Sequence, residues 1–223
     1  MSKPEPSRQF LTYFTMEHVF FKPWIGKNYQ NGSIFKKKIL VLGESHYCGN
    51  ENCNGKCGFR DFPDGGCEDF TYDRVMDYLS GSAGMWANTF KKFERSLVNK
   101  ETTLEDSNEI WQSLAFFNFL QVAMTKTRTA GSGEDYMEGQ KAFLEVIEDL
   151  QPDLIIVWGI RLYGHLPNER WIQGEPLVVD NYSVKNGYYQ LKQGKKSRVI
   201  AVYHPSTGYS WDWWYKVIAS QLG

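Results

Sequence analysis

The sequence predicts an α/β fold: a three-layer α/β/α domain on a four-stranded parallel sheet, with a Cys-rich loop and a β-hairpin insertion. Two observations carry this expectation. Four short, almost wholly apolar runs punctuate the chain: "KKKILVLG" at 36–43, "LAFFNF" at 114–119, "DLIIVWG" at 153–159 and "SRVIAVY" at 197–203. Strands without polar alternation are buried on both faces, as in parallel sheets. Helical patterns separate the runs, and crossover helices between parallel strands cover both faces of the sheet.

The elements follow in order. Residues 1–9 are polar and proline-bearing and read as a flexible tail. "FLTYFTMEHVFF" at 10–21 carries aromatics at roughly helical spacing. After the first strand, residues 44–70 are rich in Gly, Asn, Asp and Cys and read as one long loop. A loop of that length in a compact domain is functional or clamped. Residues 72–79 and 86–98 look helical. The second strand runs into the polar loop "TKTRTAGSGED", and 134–150 forms a helix with Phe143, Val146, Ile147 and Leu150 on one face. A short helix at 160–165 follows the third strand. At 176–192, "EPLVVDN" and "YYQLKQG" flank Lys185-Asn186-Gly187 and read as a hairpin with an Asn-Gly turn. The chain closes with the aromatic helix "WDWWYKVIASQL". Without repeats or a linker, 1–223 reads as a single domain.

With 25 basic against 26 acidic residues, no global field favours nucleic acid, so any such site is a local patch. An aromatic share of 16% exceeds the needs of a core, which points to rings lining a pocket or a contact surface. No apolar run approaches the ~20 residues of a membrane span. The start "MSKPEPSRQF" lacks a signal peptide's apolar stretch. A soluble, cytoplasmic protein without a membrane partner is expected.

All four cysteines fall within 44–70, as Cys48-x4-Cys53-x3-Cys57-x9-Cys67. In a reducing compartment such clustering suggests a metal more than disulfides. Four thiolates suit a structural zinc that clamps a coreless loop, with no open position for water. A loop without metal is the second candidate, and an iron–sulfur cluster the third.

In parallel α/β sheets, ligands lie beyond the carboxyl ends of the strands. Those ends bring Gly43-Glu44-Ser45-His46-Tyr47, Asn118-Phe119, Trp158-Gly159 and Tyr203-His204-Pro205-Ser206 toward one crevice. Each has a plainer role as well. His204 could cap a strand, Glu44 could cap a helix or pair with a cation, and Asn118 could bond backbone. His46 could be a pocket residue, a metal ligand beside Cys48, or a loop residue.

The order strand–Gly-Glu, strand–Asn, strand–Gly, strand–His-Pro-Ser resembles the uracil-DNA glycosylase superfamily. The nearest branch is the one whose first motif is Gly-Glu-x-Pro-Gly. "LVLGESHY", "AFFNFLQVAMTKTR", "LQPDLIIVWG" and "VIAVYHPS" carry the resemblance, over roughly residues 36–222. The resemblance implies an enzyme that extrudes a damaged base, uracil or a deaminated purine, and hydrolyses its N-glycosidic bond. On this reading His204 donates a hydrogen bond to the base oxygen, Glu44 positions the water, and Asn118 reads the base edge. Tyr47, Ser45 and His46 complete the base pocket, with Tyr47 matching a tyrosine that excludes the thymine methyl. Lys126, Arg128 and Ser206 would touch DNA. Tyr209 and Trp211 would wedge into it, unless they dock the last helix instead. Of the stacking aromatic, Phe59, Phe62 and Phe70 all qualify.

The departures are the proline replaced by His46, Ser45 where another branch has Asp, the added hairpin and the cysteine loop. The branch resembled carries an iron–sulfur cluster, but its cysteines are distributed differently. A non-catalytic nucleic-acid or nucleotide-binding module of the same fold is the alternative, and a small-molecule α/β enzyme using the same crevice is the third.

Overall fold

The computed structural model describes residues 16–48, 67–126, 129–192 and 194–223. The expected tail, Cys53, Cys57, Phe59, Phe62 and Arg128 lie outside the described residues. The strands are β1 (Trp24–Ile25), β2 (Ile39–Gly43), β3 (His46–Tyr47), β4 (Leu114–Asn118), β5 (Ala123–Met124) and β6 (Leu154–Trp158). They continue with β7 (Trp171–Gln173), β8 (Leu177–Val179), β9 (Tyr182–Val184), β10 (Asn186–Gln190) and β11 (Lys196–Val202). The α-helices are α1 (Phe70–Leu79), α2 (Ala87–Val98), α3 (Leu104–Trp111), α4 (Gly133–Leu150), α5 (Ile160–Tyr163) and α6 (Trp211–Leu222).

A mixed α/β architecture results, around a seven-stranded sheet in the order β1-β4-β2-β6-β11-β10-β7. Strands β4, β2, β6 and β11 run parallel to one another, while β1, β10 and β7 join antiparallel at the two sides. The alternation of β2 shows why its run is wholly apolar. Ile39 and Val41 join one core cluster with Phe116, Ile156, Trp214 and Ile218, while Leu40 and Leu42 join another with Phe117, Phe143, Ile147 and Ile155. Each fully buried side chain of this size contributes about 1.5–3 kcal/mol. Two buried faces therefore leave no position for a polar residue. No described helix is long and apolar enough to cross a membrane.

Four expectations need correction. The sheet has seven strands rather than four, because the added strands are short or polar and find their place only by pairing. The hairpin turn is not at Asn186-Gly187. It lies at Asp180-Asn181, between β8 and β9, where both residues adopt left-handed φ of 46° and 64°. Asn and Asp tolerate this backbone better than other side chains. Gly187 instead sits in β10, where a Cβ would overlap the Trp171 ring, so glycine serves close packing there. Residues 16–23 form no helix. The N–H groups of Phe20 and Phe21 are taken by the Gln121 side chain instead of a helical ladder, donating to Oε1 at 2.8 and 3.0 Å, and both rings are buried. The segment 44–70 is not one loop, since β3 pairs with β5 at its start and α1 begins at Phe70. The sequence reading also missed α3, which a reciprocal capping box between Thr103 and Asp106 starts.

Candidate active site

The carboxyl ends of β2, β4, β6 and β11 border a cavity of about 630 Å³. Glu44, Ser45, His46, Tyr47, Asn118, His204 and Ser206 all line it, so the structure brings together seven residues singled out in the sequence. The ladder between β2 and β4 continues one step past both strands: Phe119 N–H donates to Gly43 O at 2.9 Å and Leu120 N–H to Glu44 O at 2.8 Å. This holds the Glu44 and Asn118 backbones side by side.

His204 follows β11 in a tight turn closed by Thr207 N–H donating to His204 O at 3.1 Å. The Ser206 backbone N–H donates to His204 Nδ1 at 3.2 Å, and the Ser206 hydroxyl lies 2.8 Å from the same nitrogen. Because Nδ1 accepts from an amide, the proton of the neutral ring belongs on Nε2. Burial lowers the His204 pKa below its ordinary 6.5, with Glu44 opposing and Arg161 reinforcing the shift. At neutral pH the ring is therefore an uncharged donor at Nε2.

Glu44 is clamped. Arg161, two residues past Gly159 on α5, donates from Nε to Oε1 at 2.9 Å and from Nη2 to Oε2 at 2.5 Å. The Tyr136 hydroxyl of α4 makes a short hydrogen bond to Oε1. Burial, then the Glu44 carboxylate, pushes the Tyr136 pKa up to about 12, so the phenol remains a donor. His165 stacks on Tyr136 at 3.6 Å between ring centroids and fixes its plane. A carboxylate has about four lone-pair sites. The Arg161 and Tyr136 bonds fill three, which leaves one on Oε2.

Asn118 and His46 form the polar floor, both nearly inaccessible. Asn118 Nδ2 lies 3.2 Å from His46 Nδ1 and 3.1 Å from Nε2, and His46 Nε2 lies 2.9 Å from Thr71 Oγ1. Both His46 ring nitrogens are satisfied when Asn118 donates to Nδ1 and His46 Nε2–H donates to Thr71. Burial, then the nearby Arg74 charge, lowers the His46 pKa to about 3, so this ring too is neutral. Phe70 stacks on it at 4.5 Å and 13°. Phe70 is thus the described one of the three candidate stacking aromatics, and its partner is a protein ring. Arg74 lies over the Phe70 and Trp86 rings at 5.2 and 5.8 Å. Trp158 Nε1 and Arg74 Nε are buried donors without a hydrogen-bond partner, and both residues line the cavity.

Tyr47 is exposed at the rim. Lys126 is exposed two residues beyond β5, the strand that pairs with Tyr47, but does not line the cavity. For Tyr209 and Trp211 the structure favours docking over wedging. Tyr209 is buried, its hydroxyl 2.6 Å from Ser96 Oγ and its ring stacked on Trp214, because it closes the junction of α2 and α6. Trp211 opens α6 and packs against the core. Cys48 and Cys67 pack against the same small cluster of Phe20, Phe21 and Ala123. Among the described residues no group of three or more His, Cys, Asp or Glu side chains is placed to hold a metal. The sequence reading missed Arg161, Tyr136, Thr71 and Arg74. Only Arg161 carried a signal, its place just past a strand end.

The chain matches no protein-family model, and no curated protein matches it.

Proposed function

We propose that the protein is a uracil-DNA-glycosylase-like hydrolase, on a three-layer α/β/α scaffold, that cleaves the N-glycosidic bond of an extruded base in DNA. One observation carries the reading: His204 is held neutral, with Nδ1 committed to the Ser206 turn and Nε2–H left for a ligand in the cavity. In the reaction, water oxygen bonds to the sugar C1′ as the C1′–N bond breaks and its electron pair passes to the base. The water proton goes to Glu44 through the remaining Oε2 site. Negative charge accumulates on the base oxygen, where His204 Nε2–H donates. A donor placed where charge develops contributes about 3–4 kcal/mol to the rate. Asn118 reads the base edge, since an amide has both donor and acceptor.

The proposal includes a structural zinc on Cys48, Cys53, Cys57 and Cys67. In its support, the chain entering the intervening segment is tied by Cys48 N–H to Met124 O at 3.0 Å. The chain leaving it is tied by Lys22 N–H to Glu68 O at 2.8 Å. The two outer cysteines share one apolar cluster. Thiolates are the donors zinc prefers for structural sites.

A binding module without cleavage is the second reading, favoured by the three hydrogen bonds already on Glu44. Incubation with oligonucleotides carrying uracil, hypoxanthine or xanthine, followed by alkali, separates the two. Strand breaks lost in His204→Ala and Glu44→Gln support the hydrolase. Tight binding without breaks favours the module, and neither binding nor breaks defeats both.

A further inference from the structure

Beside the crevice lies a smaller cleft of about 190 Å³, lined by Tyr182, Tyr203, Gly208, Ser210, Trp213 and Trp214. Tyr203 lines both cavities and immediately precedes His204. We propose that this cleft stacks the nucleobase adjacent to the extruded one on the same strand, so that the protein acts on single-stranded DNA. The proposal rests on the glycosylase reading and deepens it.

The rings are arranged as walls. Tyr182 meets Tyr203 at 85° and Trp213 at 90°, with centroids 6.0 and 5.4 Å apart. In each edge-to-face pair one ring's edge covers a face of the other, so the faces turned away from these contacts are those a planar guest can stack on. Trp214, nearly inaccessible, anchors the cleft in the core, whereas Tyr182 and Tyr203 keep 36% and 40% of their surface open. At Gly208, with φ +59°, a side chain would meet nothing within 4 Å, so this side is open space.

The cleft is also built in advance. Tyr182 opens β9, directly after the tight Asp180-Asn181 turn, and its hydroxyl donates to the Tyr203 hydroxyl at 3.0 Å. Lys216 of α6 pairs with Asp180 at 2.6 Å and ties the hairpin to the last helix. Because Tyr203 lines both cavities, a strand whose target base reaches His204 can lay the neighbouring base in the cleft. In a duplex that neighbour is paired and stacked and cannot enter. Aromatic stacking serves any base, which suits a site beside the point of recognition.

The test uses the full chain and a single-stranded oligonucleotide bearing 2′-fluoro-arabino-uridine, whose glycosidic bond resists cleavage. Its two flanking nucleotides are made abasic in turn. With wild type, loss of the base on one flank weakens binding about tenfold. Tyr182→Ala weakens binding of the intact oligonucleotide by a similar factor but adds nothing once that flank is abasic. Trp213→Ala repeats the pattern, and thermal melting confirms that the variants fold. A variant loss that persists on the abasic oligonucleotide, or no penalty for either abasic flank, overturns the proposal while leaving the glycosylase reading intact. Equal affinity for the matching duplex overturns the single-strand preference. Absence of any oligonucleotide binding defeats both readings together.

Discussion

A single methyl group added at Gly43 tests how the polar floor is assembled. Gly43 has no left-handed φ, so its backbone accepts alanine, but the new Cβ would overlap Asn118 Oδ1 and lie 3.1 Å from the Phe116 ring. Phe116 sits in the core with Trp111 and Trp158 and has little room to yield. Asn118 must therefore swing and release His46. A buried polar group left unpaired costs about 1–3 kcal/mol. Replacing glycine also restricts the unfolded chain, which returns about 0.4–1 kcal/mol. The net loss is about 1–2 kcal/mol, equivalent to a fall of roughly 2–8 °C in Tm for a chain of this size. Urea and thermal unfolding of Gly43→Ala, Asn118→Ala and the double variant form the assay. In the Asn118→Ala background only the tight Phe116 contact remains, so Gly43→Ala should there cost clearly less than in wild type. An equal cost in both backgrounds, or none in wild type, would refute the steric coupling.

Glu94 is fully buried and accepts from Thr102, Ser107 and the Trp111 indole, joining α2 to α3. Glu94→Ala should cost about 3 kcal/mol in urea unfolding, because the buried Ser107 and Trp111 donors and the half-buried Thr102 hydroxyl lose their acceptor; a loss below about 1 kcal/mol would show that they find others. Arg161 is 47% exposed, so Arg161→Gln should change stability by less than about 1 kcal/mol. It should nonetheless lower kcat in the cleavage assay by releasing Glu44, and an unchanged kcat would remove the clamp from the chemistry. His204 has a depressed pKa in the folded state, so as pH falls through the ordinary value of about 6.5 the unfolded chain takes up the proton first. The stability that neutral His204 contributes is full above that pH and is lost toward the lower folded-state pKa. The stability gap between wild type and His204→Gln should therefore narrow between about pH 7.5 and 5, and a constant gap would contradict the burial of the ring. Metal analysis should find zinc in the purified protein, with chelation lowering Tm and Cys67→Ser reducing zinc content; a zinc-free, colourless protein would end the metal proposal.

The four parallel strands were legible because burial on both faces removes polar residues from a run, and runs this short, bounded by polar residues and glycine, are too short for a buried helix. The flanking strands were not. Asn186-Gly187 reads locally as a turn, yet Asn186 pairs with Ile200 and Gly187 makes room for Trp171. The turn fell to Asp180-Asn181, which lacks the glycine signal. At the site, the positions at strand ends were legible because α/β geometry gathers them at one edge. Their partners were not, since Tyr136 and Arg161 come from helices 92 and 117 residues away from Glu44. Spacing along a helix says which face is apolar, not which strand end its polar residue will meet.

Position 46 shows what local chemistry adds to a motif. There His46 takes one hydrogen of the Asn118 amide. An amide nitrogen has two, so the second can still meet a ligand, but its direction is now fixed by the imidazole. That imidazole must be neutral to accept, and the apolar contacts of Phe21 and Phe70 together with the Arg74 charge hold it so. Thr71 then takes the remaining ring proton and fixes the tautomer. A hydrogen-bonded relay thus runs from α1 through His46 to Asn118. The orientation of Asn118 depends on that relay as much as on the strand that bears it.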